Sequence, residues 1–208
     1  RFVLLEFFTT GSVPCHHDAR ELTRIHQCMG DRVTVIGVHS PKFDTGRSSG
    51  HLARSLLRLR IEYPVIHDPE MTLWSSFEIE AWPTSILLDP NGTILAAGPG
   101  ELSASDLIPV LETLVAQHPT AEPLEGIRVE PAARRRPANG TLAFPSKVEM
   151  APDGLLYVAD TGHDRILEIE MHRSEPVGRL LRIFGAGEPG LADGPARSAR
   201  FTMPHGLS

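Results

Sequence analysis

Apolar residues open the chain in a nearly continuous run, Phe2-Val3-Leu4-Leu5, and Phe7-Phe8 extend it. Such a run fits a strand from Arg1 to Phe8 buried on both faces of a parallel or mixed sheet. Gly11 and Ser12 break the pattern. Leu22, Ile25 and Cys28 then recur at helical spacing, which predicts a helix from about Pro14 to Met29 ended by Gly30. Ser12 is expected to cap that helix through its side chain, with Pro14 tolerated in the first turn. Val33 to His39 is rich in β-branched residues and predicts a second strand.

Ser40 to Gly50 is polar and loop-like. Leu52, Leu56 and Leu59 form a helical stripe flanked by Arg54, Arg58 and Arg60. Tyr63-Pro64-Val65-Ile66 predicts a short strand and Met71 to Phe77 a short helix. Ala81 to Leu88 predicts a strand entered through a proline. Asn91-Gly92 is a strong hairpin signal, and Thr93 to Ala97 returns antiparallel. A last helix is expected between Ser103 and His118 on the stripe Leu107, Leu111 and Leu114, with Pro109 in its first turn or at a kink.

From Pro119 the pattern dissolves. Proline, alanine, glutamate and the triplet Arg134-Arg135-Arg136 dominate, and residues 119–141 read as a solvated linker. Four short β segments follow: Lys147–Met150, Leu155–Ala159, Ile166–Ile169 and Leu180–Phe184. Four short strands with tight turns have the form of one propeller blade. Leu142-Ala143-Phe144-Pro145 recurs as Phe201-Thr202-Met203-Pro204, as expected at the start of a second blade.

Composition narrows the function classes. The chain has 208 residues, 41% hydrophobic, with a net charge of −6. That balance argues against a nucleic-acid partner, which calls for a basic face. No apolar run approaches the ~20 residues of a membrane span. Two cysteines are too few for a disulfide scaffold and suit a reducing compartment. Cytoplasm is therefore the default. The chain begins inside a core strand and is expected to be a piece of a longer protein, which leaves open a signal peptide upstream.

The candidate chemistry lies at Ser12-Val13-Pro14-Cys15. Two reactive positions three residues apart, between a strand and a helix, form the layout of a thiol-disulfide site. In such a site the exposed first thiolate attacks and the second resolves the mixed disulfide. Here a hydroxyl, protonated at neutral pH, stands first. Cys28 is no substitute, because thirteen helical residues separate it from Cys15 by about 20 Å while a disulfide needs Cα atoms within roughly 7 Å. Cys28 is expected in the core. His16, His17 and His26 diverge around the helix, so no metal site and no cofactor are expected. His16 or His17 remains a candidate to lower the pKa of Cys15.

The order β-α-β-α-β-β-α, the Ser12–Cys15 motif in the place of Cys-Gly-Pro-Cys, and Trp82-Pro83-Thr84 resemble the thioredoxin fold with its cis-proline strand entrance. The runs Val35–Asp44, Tyr63–Asp68 and Ala81–Thr84, together with the repeat-like segment Pro152–Ile166, resemble the family of NHL repeat-containing protein 2 and its relatives. In that family a thioredoxin-like domain is fused to an NHL propeller. The family often carries Cys-x-x-Cys where this chain has Ser12.

The resemblance implies an α/β thioredoxin-like domain over 1–118, the linker, and an incomplete all-β propeller over 142–208, one blade plus the start of a second. It implies a cis Trp82–Pro83 bond and a docking wall at Trp82, Pro83 and Thr84. Two functions follow. One is a protein-binding or scaffold module whose catalytic positions, Ser12 and Cys15, are degenerate, with a protein partner and an unassigned oligomeric state. The other is a monothiol disulfide oxidoreductase that uses Cys15.

Overall fold

The computed structural model describes residues 1–118, 141–172 and 177–207. The chain divides into two compact units, residues 1–136 and 137–208. Of the expected linker only Thr141 is among the described residues. The arginine triplet lies outside them.

Unit one is built on a five-stranded mixed sheet ordered β3-β2-β1-β4-β5. Its strands are β1 (Phe2–Phe8), β2 (Val33–His39), β3 (Val65–His67), β4 (Thr84–Leu88) and β5 (Ile94–Pro99). β1, β2 and β3 run parallel; β4 is antiparallel to β1, and β5 is antiparallel to β4. Four helices join them: α1 (Val13–Met29), α2 (Ser49–Leu59), α3 (Thr72–Ser76) and α4 (Ala104–Gln117). β3 is shorter than expected and starts after Pro64. Tyr63 is buried in the core instead.

The central strand β1 is covered on both faces, as its unbroken hydrophobicity requires. Alternation sends Phe2, Leu4 and Phe8 into a core shared with α1, α2 and α4. Leu5 and Phe7 enter a second core with Ile79 and Ile86, against which Leu73, Trp74 and Phe77 pack. Glu6 has the parity of Leu4 and Phe8, so its carboxyl enters the α1 side. Its burial is nearly complete.

One expectation about the helices is corrected and one is narrowed. The buried stripe of α1 is Cys15, Asp18, Ala19, Leu22, Ile25 and Met29. Cys28 is exposed, not core. One residue turns a helix by about 100°, and Met29 takes the inward position. Pro109 lies inside α4, past its first turn, and the helix continues to Gln117. Leu111 is fully buried, with Leu107 and Leu114 packed around it.

Unit two is a four-stranded antiparallel sheet in chain order: β6 (Lys147–Met150), β7 (Leu155–Asp160), β8 (Arg165–Met171) and β9 (Gly178–Phe184). Tyr157, Glu168 and Arg182 are cross-strand neighbours. Tyr157 Oη donates to Glu168, and Arg182 holds both Glu168 oxygens at 2.8 Å. At one end, buried Asp160 accepts from Ala143 N at 2.6 Å, and His163 Nδ1 and Arg165 Nε lie at 2.8 and 2.7 Å. Phe144 and Met203, each the residue before a proline in the two recurring tetrapeptides, share the same left-handed backbone, with φ of 49° and 48°. That conformation is uncommon for such side chains, so its recurrence strengthens the repeat seen in sequence. Ser146 Oγ and Thr161 Oγ1 donate to Pro204 O at 3.2 and 2.7 Å.

Candidate functional site

β1 ends at Phe8, and Thr9 to Ser12 turn the chain into α1. Ser12 N donates to Thr9 O, and His16 N to Ser12 O, both at 3.3 Å. Ser12 is the N-cap residue with extended backbone, but its side chain makes no capping bond. This corrects the expected cap. Its hydroxyl acts instead on the Cys15 thiol, whose ionised form it favours.

Cys15 is only 2% exposed. Burial raises its pKa above the ordinary thiol value and outweighs the Ser12 hydroxyl and the Thr9 backbone, which favour the thiolate. The carboxyls of Glu6 and Asp18 push the same way as burial. The histidines do not lower it. His16 Nε2 lies 2.9 Å from Thr10 O and His17 Nδ1 3.0 Å from Glu101, so both rings are engaged elsewhere. Among the described residues no three His, Cys, Asp or Glu side chains gather as metal ligands.

Behind Cys15 sits a feature that the sequence reading passed over. Glu6 from β1 and Asp18 from α1 are both buried. Ser85 Oγ donates to Glu6 Oε2, and Asp18 Oδ1 accepts Leu102 N at 3.1 Å. The remaining oxygens, Glu6 Oε1 and Asp18 Oδ2, have no hydrogen-bond partner. Burial raises the pKa of both carboxyls, that of Glu6 well above its ordinary value, and the negative charge of Asp18 pushes Glu6 up further. The signal in the sequence was a lone charge inside an apolar strand, with a second acid on the buried stripe of α1.

The pair sets a pH dependence. Because the folded pKa of Glu6 lies above its unfolded value, the folded state holds more protons at intermediate pH. The stability contribution is whole below about 4.5, the unfolded value, and is lost as pH rises towards the folded value. Glu6→Gln, which keeps the proton donor, is expected to flatten this decline. Chemical unfolding followed at pH 5 and pH 8 checks it: the variant should lose less stability than the wild type between them.

The facing wall comes from β4. Phe7 pairs with Thr84, which brings the start of β4 beside the end of β1. The Trp82–Pro83 bond is cis. Pro83 and Thr84 are buried, with Thr84 Oγ1 donating to Ala81 O at 2.8 Å, while Trp82 keeps exposed surface. Trp82 stacks on Trp74 with ring centroids 4.2 Å apart, and its Nε1 donates to Ser40 O at 2.9 Å. Ser40 Oγ donates to Asp68 Oδ2 at 2.9 Å. Asp68 also accepts the backbone N–H groups of Thr72, Leu73 and Trp74. Asp68 thus fixes α3, and with it the tryptophan beneath Trp82. Beside this network lies buried His39, whose pKa burial lowers to about 4, so the ring is neutral at pH 7.

With this geometry in view, the similarities to known proteins are specific. Residues 1–94 match the thioredoxin-like family. The first unit is a thioredoxin-like domain. This domain aligns with a solved structure titled a thioredoxin-like protein in the oxidized form (TM-score 0.51, 19% identity, 56% of this chain and 79% of that one), which shows the fold. Over its whole length the chain is 29% identical to SUPPRESSOR OF QUENCHING 1 of Arabidopsis thaliana and 30% identical to NHL repeat-containing protein 2 of Gallus gallus. It spans 20% and 28% of those proteins. The thioredoxin-like domain is also 24% identical to the thiol-disulfide oxidoreductase ResA of Geobacillus thermodenitrificans, over 54% of this chain and 62% of that protein. The chain is therefore related both to thiol-disulfide oxidoreductases and to NHL-repeat proteins.

Proposed function

We propose that the thioredoxin-like domain works as a protein-binding module rather than as a disulfide-exchange enzyme. The observation that carries this reading is Ser12 at the first reactive position, followed by a Cys15 that is almost fully buried. A serine hydroxyl cannot form the mixed disulfide that begins exchange. The docking surface around Trp82 is retained, held by stacking and two hydrogen-bonded steps back to Asp68. Its partner is an exposed segment of another protein. In the same reading β6 to β9 form one blade of an NHL propeller, and Phe201 to Pro204 begin the next; the recurring left-handed residues before Pro145 and Pro204 support this.

The rival, a monothiol oxidoreductase using Cys15, meets an obstacle in that thiol's own setting. The thiolate is the nucleophile, and burial and two carboxyls disfavour it. Purified wild-type chain is expected to leave insulin disulfides intact in the presence of dithiothreitol. Iodoacetamide at pH 7.5 is expected to label exposed Cys28 well before Cys15, with the sites resolved by peptide mass mapping. Turnover at thioredoxin-like rates, or faster labelling of Cys15, would overturn the module reading.

A further inference from the structure

The rim of the docking surface carries a charge that the fold does not use. After β2 the chain passes over the active-site turn: Lys42 N donates to Thr9 Oγ1 at 3.3 Å, and Gly46 N donates to Phe43 O at 2.9 Å. The Phe43 ring lies against Gly11, where a methyl group would meet its edge carbons at 3.2 Å. Phe43 is nevertheless 59% exposed, and Val13, one residue after Ser12 at the start of α1, is 63% exposed. Lys42 Nζ stands 5.9 Å from the Phe43 ring centroid and 6.0 Å from that of Trp82. Among the described residues no carboxylate lies within ion-pair distance of Lys42. On a chain with a net charge of −6, the mouth of the site thus carries an ammonium group over two aromatic rings, with no carboxylate partner among the described residues.

We infer that Lys42, Phe43, Val13 and Trp82 select a partner segment in which an apolar side chain stands next to a carboxylate. The apolar side chain rests on Phe43, Val13 and the exposed part of Trp82. The carboxylate pairs with Lys42 Nζ. Both contacts use surface that is already held in place, so little ordering opposes binding. A basic segment meets the lysine as a like charge, and a purely polar acidic segment leaves the apolar patch wet. Charge complementarity at such a rim acts on specificity more than on raw affinity. The inference rests on the module reading, because it concerns what the Trp82 surface accepts.

Fluorescein-labelled peptides of one length, with Gly-Ser flanks and centres Leu-Leu-Glu-Glu, Leu-Leu-Lys-Lys or Ser-Ser-Glu-Glu, are the probes. Binding to the full chain is read by fluorescence anisotropy in low salt. The Leu-Leu-Glu-Glu peptide is expected to bind at least about threefold more tightly than either of the others, the size of an exposed ion pair. Lys42→Glu should reverse the order of the two leucine peptides, and Phe43→Ser should weaken both. These side chains are exposed, and unchanged tryptophan emission checks that the variants fold. If the leucine peptides bind equally and Trp82→Ala abolishes binding, the charge selection is wrong while the docking surface stands. If no peptide binds, or Trp82→Ala leaves affinity unchanged, the docking surface is wrong and the selection falls with it.

Discussion

Ser12→Cys is expected to turn a chain that leaves insulin disulfides intact into one that reduces them, at least about a hundredfold above the wild-type background. The introduced thiol would stand at the N-cap of α1, where the helix end favours an anion. As thiolate it attacks one sulfur of the substrate disulfide and expels the other as a thiolate, forming a mixed disulfide. The Cys15 thiol, three residues on in the first turn of α1, loses its proton to solvent and attacks the position-12 sulfur. The second substrate sulfur leaves, and an intramolecular disulfide remains for dithiothreitol to reduce. Every part but the first sulfur is in place. Insulin precipitation followed by turbidity measures the gain. Equal rates in wild type and variant, or no gain in a variant that folds, would show that Ser12 is not what silences the site.

Asp68→Ala is expected to destabilise the thioredoxin-like domain by about 3 kcal/mol, since buried donors left without a charged acceptor each cost one to several kcal/mol. The residue is 5% exposed and accepts from Thr72 N at 2.8 Å, Leu73 N at 3.1 Å, Trp74 N at 3.0 Å and the Ser40 hydroxyl. α3 has only five residues, and its N-cap, Met71, offers no side-chain cap, so Asp68 does that work from four residues before the helix begins. Burial raises its pKa, but the Trp74 and Leu73 amides, the Ser40 hydroxyl and the Thr72 amide outweigh that and hold it below the ordinary value. The stabilisation is therefore present above about 3.8 and is lost as pH falls through the lower folded value. Both tryptophans, Trp74 and Trp82, belong to this domain, so denaturant unfolding followed by their emission reports on it. An unchanged midpoint would mean that α3 does not depend on Asp68. Asp68→Asn, which keeps one accepting oxygen, should fall between alanine and wild type.

Much of the fold was written in local pattern. The apolar run of β1, the stripe of α2, the Asn91-Gly92 hairpin and the four segments of unit two fell within a few residues of their observed places. The misses share a cause. Cys28 was placed inside because it follows Ile25 by three, but Met29 at four competes for the same face and took it. Ser12 has the residue type of a cap and sits at the N-cap, yet its side chain makes no capping bond. Cys15 and Cys28, by contrast, lie thirteen positions apart on one continuous helix, and both are free as their spacing required.

By itself the sequence determined the order of elements and the identity of the atom at position 12. Both follow from near-neighbour rules, periodicity for the elements and plain chemistry for the oxygen. Only the tertiary structure decided that Glu6 and Asp18 are buried where each feels the other's charge, that Asp68 holds the ground beneath Trp82, and that Lys42 reaches two rings. Each joins residues from different elements through sheet register and helix packing, and no spacing along the chain encodes such a distance.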